Sequence, residues 1–288
     1  MNVILKIYNS IQSLPKIYLV SSLWSFGIVG FLSTIFSMLG ISLKDINNSS
    51  FVLNLCYLFF FYILFFLVSF AFLRTVYKDS ISLKIAMTNV LVQHGDIFES
   101  KGFKVIGCDN HFNVKADDIV ISKKSLHGRF LLEHSNYNDL KRQIEATARN
   151  MKLKKSSEGL YEFPLGTIIK YHSKVDNQTY LLLAMTKLDK DYKSRTTMAE
   201  YEQMLINMWK EIDRVYASND IVLPLLGSGI SRFEDGPKSN GSLLRCILCT
   251  FNSSGVRLNS TVKIVLKETK SKYLLYDFKW MFDLISRI

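Results

Sequence analysis

The stretch IVLPLLGSGISRF, from Ile221 to Phe233, joins an apolar run to a loop in which one serine separates two glycines. The run is rich in branched aliphatic residues and reads as a buried strand. The loop admits two readings. Glycines after a strand often do no more than end it. Lacking Cβ atoms, the same residues also let backbone N–H groups close around an anion such as a phosphate. Which reading holds depends on what the rest of the chain builds around this loop.

Outward from it, LKIAMTNVLVQ (83–93), FKVIGC (103–108), DDIVIS (117–122), GTIIKYH (166–172), TYLLLAMT (179–186) and TVKIVLKET (261–269) have the same strand-like character. Most are nearly continuous in apolar residues, which predicts a sheet covered on both faces. Helical patterns lie between them. In MAEYEQMLINMWKEIDRVYA (198–217), Met198, Tyr201, Leu205, Met208, Ile212 and Val215 fall on one helix face, with Thr196 and Thr197 as candidate caps. YNDLKRQIEATARNMK (137–152) predicts a more polar helix starting near Asn138 or Asp139, and GSLLRCILCTFN (241–252) one capped by Ser242. Alternating strands and helices predict a three-layer α/β/α sandwich around a mixed sheet.

Apolar residues are densest near the N-terminus. No charged residue occurs from Ile17 to Leu43, nor from Ile46 to Leu73. Each run exceeds the ~20 residues that cross a bilayer core as a helix. Only Lys44 and Asp45 separate them in charge terms, beside the turn-forming INNSS. The pattern predicts a membrane domain over 1–78, with transmembrane helices at about 17–41 and 50–73, and a cytoplasmic domain over 79–288. Lys6 and Lys16 precede the first span, and Arg74, Lys78 and Lys84 follow the second. The positive-inside rule then places both termini in the cytoplasm.

The formal net charge of +11 suits an anionic partner without choosing among nucleic acid, lipid and small ligands. Beyond charge, nothing in the chain supports a nucleic-acid partner. Four cysteines in 288 residues are no disulfide framework. Cys246 and Cys249 form a CxxC, but neither a second CxxC nor a His pair stands at metal-site spacing, so buried small hydrophobes are the better reading. The scattered histidines (His94, His111, His127, His134, His172) specify neither an HExxH motif nor a catalytic triad. No metal or cofactor is expected. The basic segment MKLKKSSEG (151–159) reads as a solvated loop, with lipid headgroups as an alternative partner.

Three further strand ends carry polar or glycine-bearing loops. Gly95-Asp96-Ile97 follows the first strand pattern, where a carboxylate either meets a ligand at the sheet's end or caps a turn. VIGCDNHFN ends the next in a glycine, an Asp and two Asn, and KKSLHGRF supplies another basic glycine loop.

This order of motifs resembles the macro domain, the ADP-ribose-binding module, over most of 79–288. The resemblance implies that Asp96, beside Ile97, holds the adenine amino group. It implies that Gly227, Ser228, Gly229, Ile230 and Ser231 wrap the diphosphate, with Leu226 and Arg232 beside them among the ligand-binding residues, and that Phe233 and Asn110 lie near the distal ribose. The chain departs from the family where GCDN (107–110) and HFNVKADDIVISKKSLHG (111–128) replace an Asn-rich turn and a glycine run. Ser125, Leu126, His127 and Gly128 then stand in for the first phosphate loop, and hydrolysis, which depends on that region, is not implied. With the membrane hairpin in front, the chain resembles the membrane-bound macro-domain effectors of bacterial Thoeris antiphage defence. That resemblance implies a location at the inner membrane of a bacterial cell and a partner TIR-domain enzyme that makes an ADP-ribose derivative from NAD, with an amino-acid conjugate and a cyclic form as the candidates. It implies a binding protein without turnover that assembles as a homo-oligomer and damages the lipid bilayer. The alternative is a membrane-tethered ADP-ribosyl hydrolase.

Overall fold

The structure is a computed structural model that describes residues 16–40, 51–76, 80–156, 159–188, 194–229, 232–234 and 236–267. Contacts divide the chain into two units, Met1–Lys78 and Asp79–Ile288.

The first unit is a pair of helices, α1 (Lys16–Met38) and α2 (Phe51–Val76), of 23 and 26 residues. Both are candidate membrane spans by length and composition. They run antiparallel: Tyr18 stacks on Phe70, Phe26 packs on Tyr62, and the Ser22 and Tyr62 hydroxyls share a 2.7 Å hydrogen bond. Ser21 and Ser25 are fully buried, and Ser25 Oγ donates to the Ser21 carbonyl. Outward lie Leu23, Trp24, Phe31, Phe59 and Phe60, all largely exposed. Exposed apolar surface of this extent marks a face for contact with membrane or protein.

The second unit is built on a mixed sheet in the order β1-β2-β9-β7-β3-β5, extended by β6 and β8, with β4 also on β5. The strands are β1 (Ser80–Ile85), β2 (Thr88–His94), β3 (Phe103–Asp109), β4 (Ile168–His172), β5 (Thr179–Leu188), β6 (Ser194–Thr196), β7 (Ile221–Pro224), β8 (Arg232–Phe233) and β9 (Val262–Leu266). β2, β9, β7, β3 and β5 are mutually parallel, so their carboxyl ends share one edge. β1 and β4 flank them antiparallel.

Alternation along each strand splits the core in two. Val105, Leu181, Leu223 and Ile264 face a cluster filled by α5 (Met198–Val215) and α6 (Asn240–Ser253). Ile106, Leu182, Val222 and Val265 face the other cluster, filled by α3 (Leu126–Arg129), the π-helical turn Phe130–His134 that continues it, and α4 (Tyr137–Asn150). This is the three-layer sandwich. Along α5, Tyr201, Met204, Leu205, Met208, Trp209 and Ile212 are buried, each contributing roughly 1.5–3 kcal/mol through lost apolar hydration. The Thr197 hydroxyl and the Glu200 carboxylate start that helix as a reciprocal capping box.

Several local expectations need correction. LKIAMTNVLVQ is a hairpin, turning at Ala86 and Met87, both with positive φ (46° and 69°). DDIVIS is no strand. Its two carboxylates capture the N–H groups a ladder would need: Asp117 takes Ile119 and Val120, and Asp118 takes Lys123. Helix α6 is capped by Ser239, three residues before the expected Ser242, while α4 starts at Tyr137, beside the expected Asn138, behind an Asn136 cap.

Candidate functional site

The loops leaving β2, β3 and β7 meet the carboxyl edge of the sheet, where α/β folds bind ligands. The Gly95 N–H donates to the Leu266 carbonyl at 3.0 Å and so ties the first loop to β9. In Asp96, Oδ1 accepts the Phe98 N–H at 3.0 Å and Oδ2 accepts from Arg129 at 3.1 Å. Burial pushes this carboxyl up, but the Phe98 N–H and the Arg129 guanidinium outweigh it and hold Asp96 below its ordinary value. With its side chain 35% exposed, the carboxylate keeps lone pairs for a further donor. The Arg129 guanidinium lies over Phe98, 4.7 Å from the ring centre, and Phe98 stacks on His134 at 4.4 Å. The Ile97 side chain is buried in the core.

Strand β3 ends in a bulge against β5 between Cys108 and Asp109. The Asp109 carboxylate gathers the turn beyond it, accepting from the His111 N–H and from the Asn113 side chain and backbone. Asn110 is only 1% exposed. Its Nδ2 donates to Glu162 Oε1 at 3.3 Å, while its buried Oδ1 has no hydrogen-bond partner among the described residues. A buried unpaired amide oxygen costs about 1–3 kcal/mol, which a donor on a ligand relieves.

Ser125 caps α3: its hydroxyl donates to the Ser122 carbonyl and accepts the Gly128 N–H at 2.9 Å. Leu126 packs against the core. His127 is buried, and burial pushes its imidazole down to about 4, against the opposing pull of Asp109. At neutral pH it is therefore a neutral hydrogen-bonding group and not a cation. The unfolded chain protonates first as pH falls. The contribution of His127 to stability is complete above about pH 6.5 and declines towards pH 4, by on the order of 3 kcal/mol. Urea unfolding at stepped pH should show that decline, and His127→Gln should flatten it.

The loop after β7 turns at Gly227, whose φ of 82° lies in the left-handed region. A Cβ there would meet Leu243 at 3.3 Å and Phe233 and Tyr201 at 3.5 Å. The Tyr201 hydroxyl donates to the Leu226 carbonyl at 2.8 Å and anchors the loop from below. The Ser228 hydroxyl is turned back onto the Leu225 carbonyl at 2.6 Å, so its hydrogen is already engaged. Among the described residues, the N–H groups of Gly227 and Gly229 donate to no backbone carbonyl. At Gly229 a Cβ would meet nothing within 4 Å, so the loop is open there. Phe233, expected beside a ribose, is buried edge-on against Tyr201 and lies against Gly227. Ile230 and Ser231 lie outside the described residues. Of Arg232 the backbone is described, paired with Arg195.

Beyond Glu162 an open cavity of about 430 Å³ is lined also by Lys187, Glu200, Gln203 and Asn207. Among the described residues no cluster of His, Cys, Asp or Glu could hold a metal. On α6, burial pushes the Cys246 thiol up to about 12, as for an inert core residue. Arg129, Phe98 and Glu162 were not singled out from the sequence. Each reaches the site from a separate loop or helix, and no spacing rule links Arg129 to Asp96.

The fold is that of a macro domain. Structures of the Oceanobacillus iheyensis macrodomain, one with ADP and one with MES bound, each superpose with a TM-score of 0.50 at 16% identity, over 73% of this chain and 98% of theirs. The chain is also 28% identical over 212 residues to the Thoeris protein ThsA of Bacillus amyloliquefaciens (strain Y2), covering 72% of this chain and 71% of that protein. The model of the family described as Thoeris protein ThsA, Macro domain, matches residues 90–267, and the chain belongs to that family.

Proposed function

We propose that this protein is a membrane-bound effector of antiphage defence that binds an NAD-derived, ADP-ribose-type signal made by a TIR-domain partner. Occupancy then favours self-association, and the assembled hairpins disrupt the inner membrane. One observation carries the binding step: an open loop with free N–H groups at Gly227 and Gly229 stands on the sheet edge that also bears Asp96 and Asn110. Family membership and the two apolar helices support the rest. In this reading the diphosphate lies on the glycine loop, where backbone N–H groups supply positive potential. The adenine amine lies at Asp96, where a carboxylate suits a donor and would repel phosphate. The distal ribose meets Asn110. An amino-acid conjugate or cyclic form suits the mixed charges of Glu162, Glu200 and Lys187. A ligand drives assembly only through tighter binding to the assembled state, and two spans per chain make any breach the work of several copies.

Calorimetry on the full chain in nanodiscs tests the binding step. ADP-ribose should bind, and Asp96→Ala should weaken it roughly tenfold to a hundredfold, the worth of a hydrogen bond to a charged group. Absence of binding by the unaltered protein overturns the proposal. Hydrolysis of ADP-ribosyl groups is the second reading, favoured by the Asn110 amide, bonded through Nδ2 to the Glu162 carboxylate with its Oδ1 left without a partner among the described residues. Steady product release from ADP-ribosylated protein would establish it. For topology, a reporter fused after Ile288 should read out in the cytoplasm, and a periplasmic signal would reverse the orientation.

A further inference from the structure

Cations elsewhere on the second unit commonly have partners: Arg129 pairs with Asp96, Arg214 with Glu211 and Lys263 with Asp220. The surface formed by α4 and the segment leaving it differs. Residues 141–155 hold six lysines and arginines against a single acidic residue, Glu145. Arg142 pairs with Asp139. Lys141, Arg149, Lys152, Lys154 and Lys155 are exposed and make no ion pair with any described residue. The segment is held in place. The Met151 N–H closes the last turn on Thr147, Lys152 reverses the chain with φ 55°, and the Leu153 N–H returns to the Ala148 carbonyl. Leu153 packs against the core while Met151, among the cations, is 41% exposed.

We infer that this surface docks on the headgroups of an anionic bilayer. Cations without acidic partners on one fixed surface, Lys141 and Lys155 resting over the rings of Tyr137 and Tyr161, are complementary to anionic lipid, each contributing on the order of fivefold to association. An exposed apolar side chain among them suits an interface that phosphate ringed by hydrocarbon provides and a nucleic-acid backbone does not. Residues 77–79 alone join α2 to β1, so the second unit is tethered by the chain to whatever membrane holds the hairpin, at high effective concentration.

The test is hydrogen exchange on the full chain in nanodiscs of mixed phosphatidylglycerol and phosphatidylcholine, compared with phosphatidylcholine alone. Exchange across 141–155 should slow several-fold in the anionic discs only. Salt near molar concentration or the variant K152E/K154E/K155E should abolish the difference. Peptides from β3 and β5 report in the same run whether the variant is folded. An Arg149→Glu/Lys154→Glu pair serves where the triple variant is not. Equal exchange in both lipids overturns the inference, as does protection that survives charge reversal in a folded variant. Protection that appears only on adding nucleic acid overturns it in favour of that partner.

Discussion

Gly229→Val is expected to weaken ADP-ribose binding about a hundredfold or more while leaving the unfolding midpoint unchanged. The two halves of that expectation have separate causes. Gly229 is outside the left-handed region, and a Cβ would meet nothing within 4 Å, so a branched side chain fits the protein without strain. In the proposed site, the space it fills is the approach an anion would take to the N–H groups of Gly227 and Gly229. A charge-assisted hydrogen bond is worth about 1.5–3 kcal/mol, and two lost together exceed a hundredfold in affinity. Calorimetry of the variant beside the unaltered chain reads the first half, and the fluorescence of the buried Trp209 on heating reads the second. Unchanged affinity would remove the diphosphate from this loop.

Gly128→Ala should destabilise the second unit by about 3 kcal/mol and impair ligand binding with it. Helix propensity alone argues the other way, since alanine is favoured over glycine by about 1 kcal/mol. Sterics decide. The added Cβ would stand 2.2 Å from the Ser122 carbonyl oxygen and 2.9 Å from Lys123 Cα. Those are backbone atoms, so no rotamer change relieves the clash. The start of α3 must lift away, taking the Ser125–Gly128 cap and the burial of His127 with it. Denaturant unfolding of the full chain measures the loss. A fully stable alanine variant would show that α3 is not seated against Ser122 and Lys123.

Much of the fold was legible because burial leaves periodic marks. The face of α5 appears as Tyr201, Leu205, Met208 and Ile212 at helical spacing, and β7 as an unbroken aliphatic run. The glycine loop was legible because a left-handed turn beside Tyr201 and Leu243 needs glycine. Short-range competition was harder to read. DDIVIS has the composition of a strand, yet its own carboxylates hold the backbone in turns. LKIAMTNVLVQ hides a hairpin turn without glycine or asparagine at its centre. The Asp96–Arg129 pair was invisible because it joins residues 33 apart through the packing of α3 on the sheet. Phe233 was placed at the ligand by resemblance, and its ring packs edge-on against Tyr201.

The turn that presents Asn110 contains Phe112, whose φ of 52° is unusual for a bulky residue and whose ring is locked edge-on to Phe163 in the core. Relaxing that backbone would pull the ring out of its packing, so the turn has one affordable shape. If the proposed site holds, Asn110 is thereby preorganised: its amide is already posed, and little side-chain freedom would remain to be surrendered on binding. In the proposed site, selectivity at this end would then rest on the guest matching a rigid template.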